Sequence, residues 1–190
     1  MKKLYAVTVL LLFICDSLYA QKKPVPEDTL SKMTFWSLSV TGGLIMPLGD
    51  FGNSYNTAPD AGVEISYHPI RHYAFFFNSH YDFLKSKDVN YSGNAGYIEL
   101  GAGARTYLGN APEIFFIEAG LGHYIYYNTV DIPGNPPNNR GGFGIKAGIG
   151  GNMPVNRRVL LLIKTDFHVI FSSGSKTYFP GIYGGVRFIL

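Results

Sequence analysis

The chain has 190 residues, a formal net charge of +3, 46% hydrophobic residues and only 15% charged ones, where about a quarter is usual. That length bounds the chain to one ordinary domain, and the near-neutral balance gives no reason to propose a nucleic-acid partner. A single cysteine, Cys15, excludes a disulfide framework and a cysteine-based metal site.

At the N-terminus, Lys2 and Lys3 form a basic start, Leu4 to Cys15 an apolar run, and Leu18-Tyr19-Ala20 a small-residue cleavage pattern. Residues 1–20 read as a signal peptide cleaved after Ala20, so the chain is exported. The apolar run is too short to span a bilayer as a helix, which takes about 20 residues. Cys15 falls inside the removed segment, and Phe13-Ile14 before it do not fit a lipoprotein. Residues 21–34 are polar, with Pro24 and Pro26, and read as a flexible periplasmic leader.

From residue 35 onward, side chains alternate with the period of a strand. Residues 35–46 put Trp36, Leu38, Val40, Leu44 and Met46 on one face. Residues 61–68 set Ala61, Val63, Ile65 and Tyr67 against Glu64, Ser66 and His68. In 73–84, Phe75, Phe77, Tyr81 and Phe83 oppose Asn78, His80 and Asp82. In 96–108, Ile98, Leu100, Ala102, Ala104 and Leu108 oppose Glu99 and Arg105. Residues 114–127 separate Phe115, Ile117, Leu121, Ile125 and Tyr127 from Glu118 and Tyr124. Residues 142–153 separate Phe143, Ile145 and Ile149 from Lys146. Residues 158–171 separate Leu161, Ile163, Phe167, Val169 and Phe171 from Lys164, Asp166 and His168, and 181–190 separate Ile182, Val186, Phe188 and Leu190 from Tyr183 and Arg187.

Links after the second, fourth and sixth segments are short. Those at 47–60, 85–94, 128–141 and 172–179 are longer and turn-rich. Eight antiparallel strands with short turns at one end and long loops at the other predict an up-and-down transmembrane β-barrel over 35–190. Strands of about 11 residues tilted near 40° rise roughly 27 Å, the height of an outer-membrane apolar band.

Sidedness follows from charge. Glu64, Asp82, Glu99, Arg105, Glu118, Lys146, Lys164, Asp166 and Arg187 all take the phase opposite the apolar set, and Arg158 follows it at a strand end. One lysine or arginine at the lipid midplane costs about 2–4 kcal/mol, so the charged face is expected inside. Of the histidines, His123 alone takes the apolar face. Two aromatic girdles are expected where rings meet headgroups: Trp36, Tyr67, Phe75, Phe115 and Phe188 near the short turns, and Phe83, Tyr127, Phe143 and Phe171 near the long loops.

With Ala20-Gln21, the PLGDF segment at 47–51, the glycine-rich GAGAR and GLGHY stretches and the terminal YGGVRFIL, the chain resembles the small eight-stranded outer-membrane barrels of diderm bacteria, such as the OmpA transmembrane domain, OmpX and OmpW. The resemblance implies insertion by the outer-membrane assembly machinery through a C-terminal strand ending in an aromatic. This chain departs in ending Phe188-Ile189-Leu190. No catalytic residue and no cofactor comes with it. Lipid and lipopolysaccharide are the expected surroundings, and a monomer the expected state.

Eight strands enclose room for side chains only, and Phe35, Phe76, Tyr107, Phe116, Tyr124 and Tyr183 join the charges in the inward phase. A plugged lumen is expected, with Arg105 paired to Glu118, a second cluster of Lys146, Lys164 and Asp166, and Arg187 close to the first strand. Inward glycines such as Gly101, Gly120 and Gly150 leave room for the long side chains. Asp82 and Glu99, with His80 and His168, form an alternative cation or proton site. Ser66, His68 and Asp82 make a weaker hydrolytic alternative without a nucleophile elbow. A lipid-modifying enzyme would have to use His123, where Ile125 stands at i+2 in place of a serine. An accessory of a secretion system would use the 21–34 leader. On the long loops, Tyr55, Asp60, Tyr91, Asp131, Asn135 and Asn139 are expected to meet solvent or a surface partner.

Overall fold

The computed structural model describes residues 34–70, 72–87, 95–108, 114–128, 140–172 and 175–190. The segment 1–33, and with it the signal-peptide and most of the leader reading, lies outside the described residues, as do Tyr91, Asp131, Asn135 and Asn139. Eight strands are present: β1 (Phe35–Ile45), β2 (Ala58–Ile70), β3 (Tyr73–Leu84), β4 (Ala95–Leu108), β5 (Phe115–Asn128), β6 (Arg140–Pro154), β7 (Val159–Ser172) and β8 (Ser175–Ile189). One short helix, α1 (Gly49–Ser54), lies between β1 and β2.

Every strand pairs antiparallel with its sequence neighbours, and β8 returns to β1 with Val186 opposite Val40. The result is a closed up-and-down barrel, which leaves no strand edge unpaired. Side chains then have only two destinations, and the alternation sorts them. Ile163 is 65% exposed and Leu100 53%, while Glu99 and Lys164 are each 2% exposed and Arg105 1%. Apolar residues outside and ionised residues inside are the reverse of a soluble barrel and the arrangement of a membrane one.

Two strand starts differ from the sequence reading. β2 begins at Ala58, not 61, because Pro59 and Asp60, which read as a turn, pair with β1 through Gly43–Asp60 and Leu44–Pro59, followed by Ile45–Ala58. β8 begins at Ser175, not 181, so most of the long loop expected at 172–179 is strand, with Ser172 opposite Ser175. Pro180 misled the reading. It lacks an N–H, yet it stands opposite Phe167 in the ladder and its carbonyl accepts from Met46 N at 2.9 Å. Pairing with the long strand β7 outweighs the local turn composition. Arg158 is exposed in the turn just before β7.

The turn-rich link expected at 47–60 carries α1. Its helix opens on Gly49 at φ 62°, a left-handed conformation suited to glycine, and Leu48 gives no side-chain cap. The segment is tied on both sides of the long-loop end. Leu48 N donates to Tyr178 O of β8 at 3.0 Å, and Asn56 N donates to Lys85 O, beyond β3, at 3.1 Å.

Candidate functional site

The barrel interior holds two bonded groups, one above the other. Nearer the short turns, Arg105 of β4 stands opposite Glu118 of β5 in the ladder. Its Nε donates to Glu118 Oε2 at 2.7 Å, and its Nη2 to Glu64 Oε2 at 2.9 Å. Lys164 reaches Glu118 Oε1 and Asp166 Oδ2, each at 2.9 Å. Arg187 donates from Nε to Ser39 Oγ at 3.0 Å, from Nη1 to Tyr107 Oη at 3.0 Å, and from Nη2 to Glu64 Oε1 at 3.2 Å. Glu64 therefore bridges two guanidinium groups. The Arg105 guanidinium carbon also lies 4.4 Å from the Phe116 ring centroid, so its remaining face is covered by π density. These side chains come from six of the eight strands and point inward because they share the phase opposite the apolar set.

Nearer the long loops, Lys146 donates to Glu99 Oε1 at 2.7 Å and Asn78 Nδ2 to the same oxygen at 2.8 Å. His168 Nδ1 bonds Tyr124 Oη at 2.9 Å and lies 3.5 Å from Glu99 Oε2. His80 Nδ1 bonds Asp60 Oδ1 at 2.9 Å. The sequence reading grouped Lys146 with Lys164 and Asp166. In the structure it crosses β5 to Glu99 instead. Glycines on β5 open that path: a Cβ on Gly120 would lie 3.3 Å from Lys146 Cε, and one on Gly122 3.4 Å from Glu99 Cγ.

Asp60, expected on a surface loop, is buried beside His80, because β2 starts earlier than expected. Asp82 stands opposite Asp60 in the ladder and Glu99 opposite His80, so the two acids lie in successive inward rows of β3 and β4. Among the described residues no group of three or more histidine, cysteine or acidic side chains is arranged to hold a metal ion. The hydrolytic alternative is not assembled: Ser66 Oγ donates to Glu64 Oε1 and His68 Nε2 bonds Ser37 Oγ.

Above the second group the lumen turns apolar. Ile45, Ala58, Leu84, Ala95, Ile170 and Phe179 form a buried cluster with Tyr97, Tyr124 and Tyr183. Phe51 of α1, with Tyr55 and Tyr126, packs on it, and the Tyr55 and Tyr126 hydroxyls meet at 2.5 Å. The sequence reading missed this cap. Its signal was present in Ile45, Leu84 and Ile170, which take the inward phase near strand ends.

On the outer wall, Trp36, Phe75, Phe83, Phe115, Phe143, Phe171 and Phe188 are exposed, while Tyr67 and Tyr127 are half-buried. Trp36 packs on Tyr67 with ring centroids 4.9 Å apart. Tyr127 and Tyr81 bond through their hydroxyls. His123 faces outward, with its ring over Gly141, where a Cβ would lie 3.1 Å from Cε1.

No protein-family model and no curated protein sequence matches the chain. Solved structures do match in fold. Neisserial surface protein A shares 14% identity at a TM-score of 0.62, covering 80% of this chain and 96% of its own. Ail, the attachment invasion locus protein of Yersinia pestis, shares 12% at 0.53, covering 82% and 97%. The N-terminal barrel domain of Pseudomonas aeruginosa OprF shares 13% at 0.51, covering 82% and 100%. With the closed eight-strand topology, these likenesses define the fold as that of the small eight-stranded outer-membrane β-barrels.

Proposed function

We propose that the protein is a non-enzymatic outer-membrane barrel with a structural or surface-interaction role, its lumen plugged by ionic groups rather than open as a pore. One observation carries this reading: the outer wall exposes Val40, Phe77, Ile149 and Ile163 among many other apolar residues, while Glu64, Glu99, Arg105, Glu118, Lys146, Lys164 and Arg187 turn inward. Water would leave that belt unburied, whereas hydrocarbon matches it. The lumen supports a plug because Arg105, Lys164 and Arg187 each bond several partners across it. The surface role draws on the names of two neighbours, a surface protein and an attachment protein. Under this reading, residues 1–20 direct export, lipid and lipopolysaccharide surround the belt, and the long-loop end meets partners outside the cell.

Two measurements on the detergent-folded protein test it. Unboiled protein is expected to migrate differently from boiled protein on a gel, and absence of that shift would remove the barrel reading. In planar bilayers no steady conductance is expected, and a stable open level would remove the plug.

A further inference from the structure

We propose that the aromatic cage beneath α1 is a binding site for an organic cation carrying an aromatic ring, kept shut by Phe51 as an internal stand-in. This goes beyond the plugged-barrel reading, since the cage lies above the groups that fill the middle of the lumen. The Phe51 ring centroid lies 5.0 Å from that of Tyr55, 5.7 Å from Tyr97 and 6.5 Å from Phe179. The site is thus already shaped for a ring and already occupied by one.

Its floor is acidic. Ala58 and Leu84 line the cage, and the next inward residues on the same strands are Asp60 and Asp82, 4% and 3% exposed. Around the short-turn group, Glu64, Glu118 and Asp166 are matched by Arg105, Lys164 and Arg187. Below the cage, Asp60, Asp82 and Glu99 face Lys146 as the one lysine or arginine, with His80 and His168 as the other titratable partners. Acidic side chains outnumber lysine and arginine here by three to one, whereas around the short-turn group the two are equal in number. Deeper on β3, Asn78 donates to Glu99, and its Oδ1, without a hydrogen-bond partner, lies where a Cβ on Gly101 would come within 2.6 Å of it. Aromatic walls over an acidic floor favour a cation through ring quadrupoles and through charge. A neutral ring gains only the walls, and an anion is repelled.

The stand-in is weakly held. α1 is a six-residue helix with Gly49 and Gly52, no side-chain N-cap and no buried residue. Outside the Phe51 contact, it is held by backbone bonds at its two ends, by the Lys87 ammonium on the Gly52 carbonyl and by the Tyr55–Tyr126 hydroxyl bond. Such a segment belongs to the low-stability end of a structure, so it can open while the barrel stays closed.

The test uses the full chain folded in non-ionic detergent, with benzyltrimethylammonium, benzyl alcohol and benzenesulfonate as probes in calorimetric titration. Phe51→Ala is expected to bind benzyltrimethylammonium about ten-fold more tightly than either other probe, and more tightly than the unsubstituted protein does. Adding Asp60→Asn and Asp82→Asn, which keep shape and hydrogen bonding, is expected to erase the preference for the cation. Heat-modifiable migration establishes folding of each variant, and Phe51→Leu replaces Phe51→Ala if the alanine variant does not fold. Equal binding of the three probes, no binding of the cation, or a cation preference unchanged by the two asparagines would overturn the proposal.

Discussion

The same eight strands line both ends of the lumen, yet the ends are filled by different chemistry. Near the short turns, three acids and three bases are interlocked, and each ion has a bonded partner of opposite sign. Near the long loops, three acids stand among one lysine, which bonds Glu99, and two histidines, one of which bonds Asp60, and an apolar aromatic cap closes over them. Burying an ion is costly unless an opposite charge and further hydrogen bonds meet it. The cap can use the hydrophobic effect and ring contacts instead, and α1 packs on it through Phe51.

That contrast can be broken most forcefully at Arg105. Arg105→Met leaves Glu64 and Glu118 without their shared guanidinium and is expected to cost about 3–5 kcal/mol, read as a shift of the urea midpoint in lipid vesicles. Combining it with Glu118→Gln should recover part of the loss; a double variant as weak as the sum of the singles would show the pair to be uncoupled. Ile163→Lys places a charge on the wall outside this group and is expected to cost about 2–4 kcal/mol in vesicles. No loss there would mean that the wall does not meet hydrocarbon. In the cap, Ile170→Ala removes a fully buried side chain and is expected to cost about 2–3 kcal/mol in the same urea titration. Phe51→Ala should cost less than about 1 kcal/mol globally, because α1 opens locally, while amide exchange at Gly52 and Tyr55 accelerates and exchange in β5 does not. A global loss as large as that of Ile170→Ala would make α1 part of the barrel's cooperative unit.

Much of this architecture was legible beforehand. The phase of Glu99 and Arg105 against Leu100 is a local property of one strand, and it already divides inside from outside. The Arg105–Glu118 pairing was legible as well, since the link between the two segments is only a few residues long and so limits their register. Lys146 was not, because its partner Glu99 lies across an intervening strand whose glycines decide which side chains meet. Asp60 and the start of β8 were misplaced where proline imitates a turn, and α1 was missed because six residues with two glycines carry no helical period.

By itself, the sequence determined the number of strands, their two faces and the chemistry of each face, since alternation with period two needs no knowledge of the neighbours. Tertiary structure alone decided which buried ions meet, how far β2 and β8 extend past their prolines, and that Phe51 folds over the long-loop end. Those outcomes depend on ring closure, which brings residues from opposite walls within bonding distance, and distance across a barrel is written in no single strand.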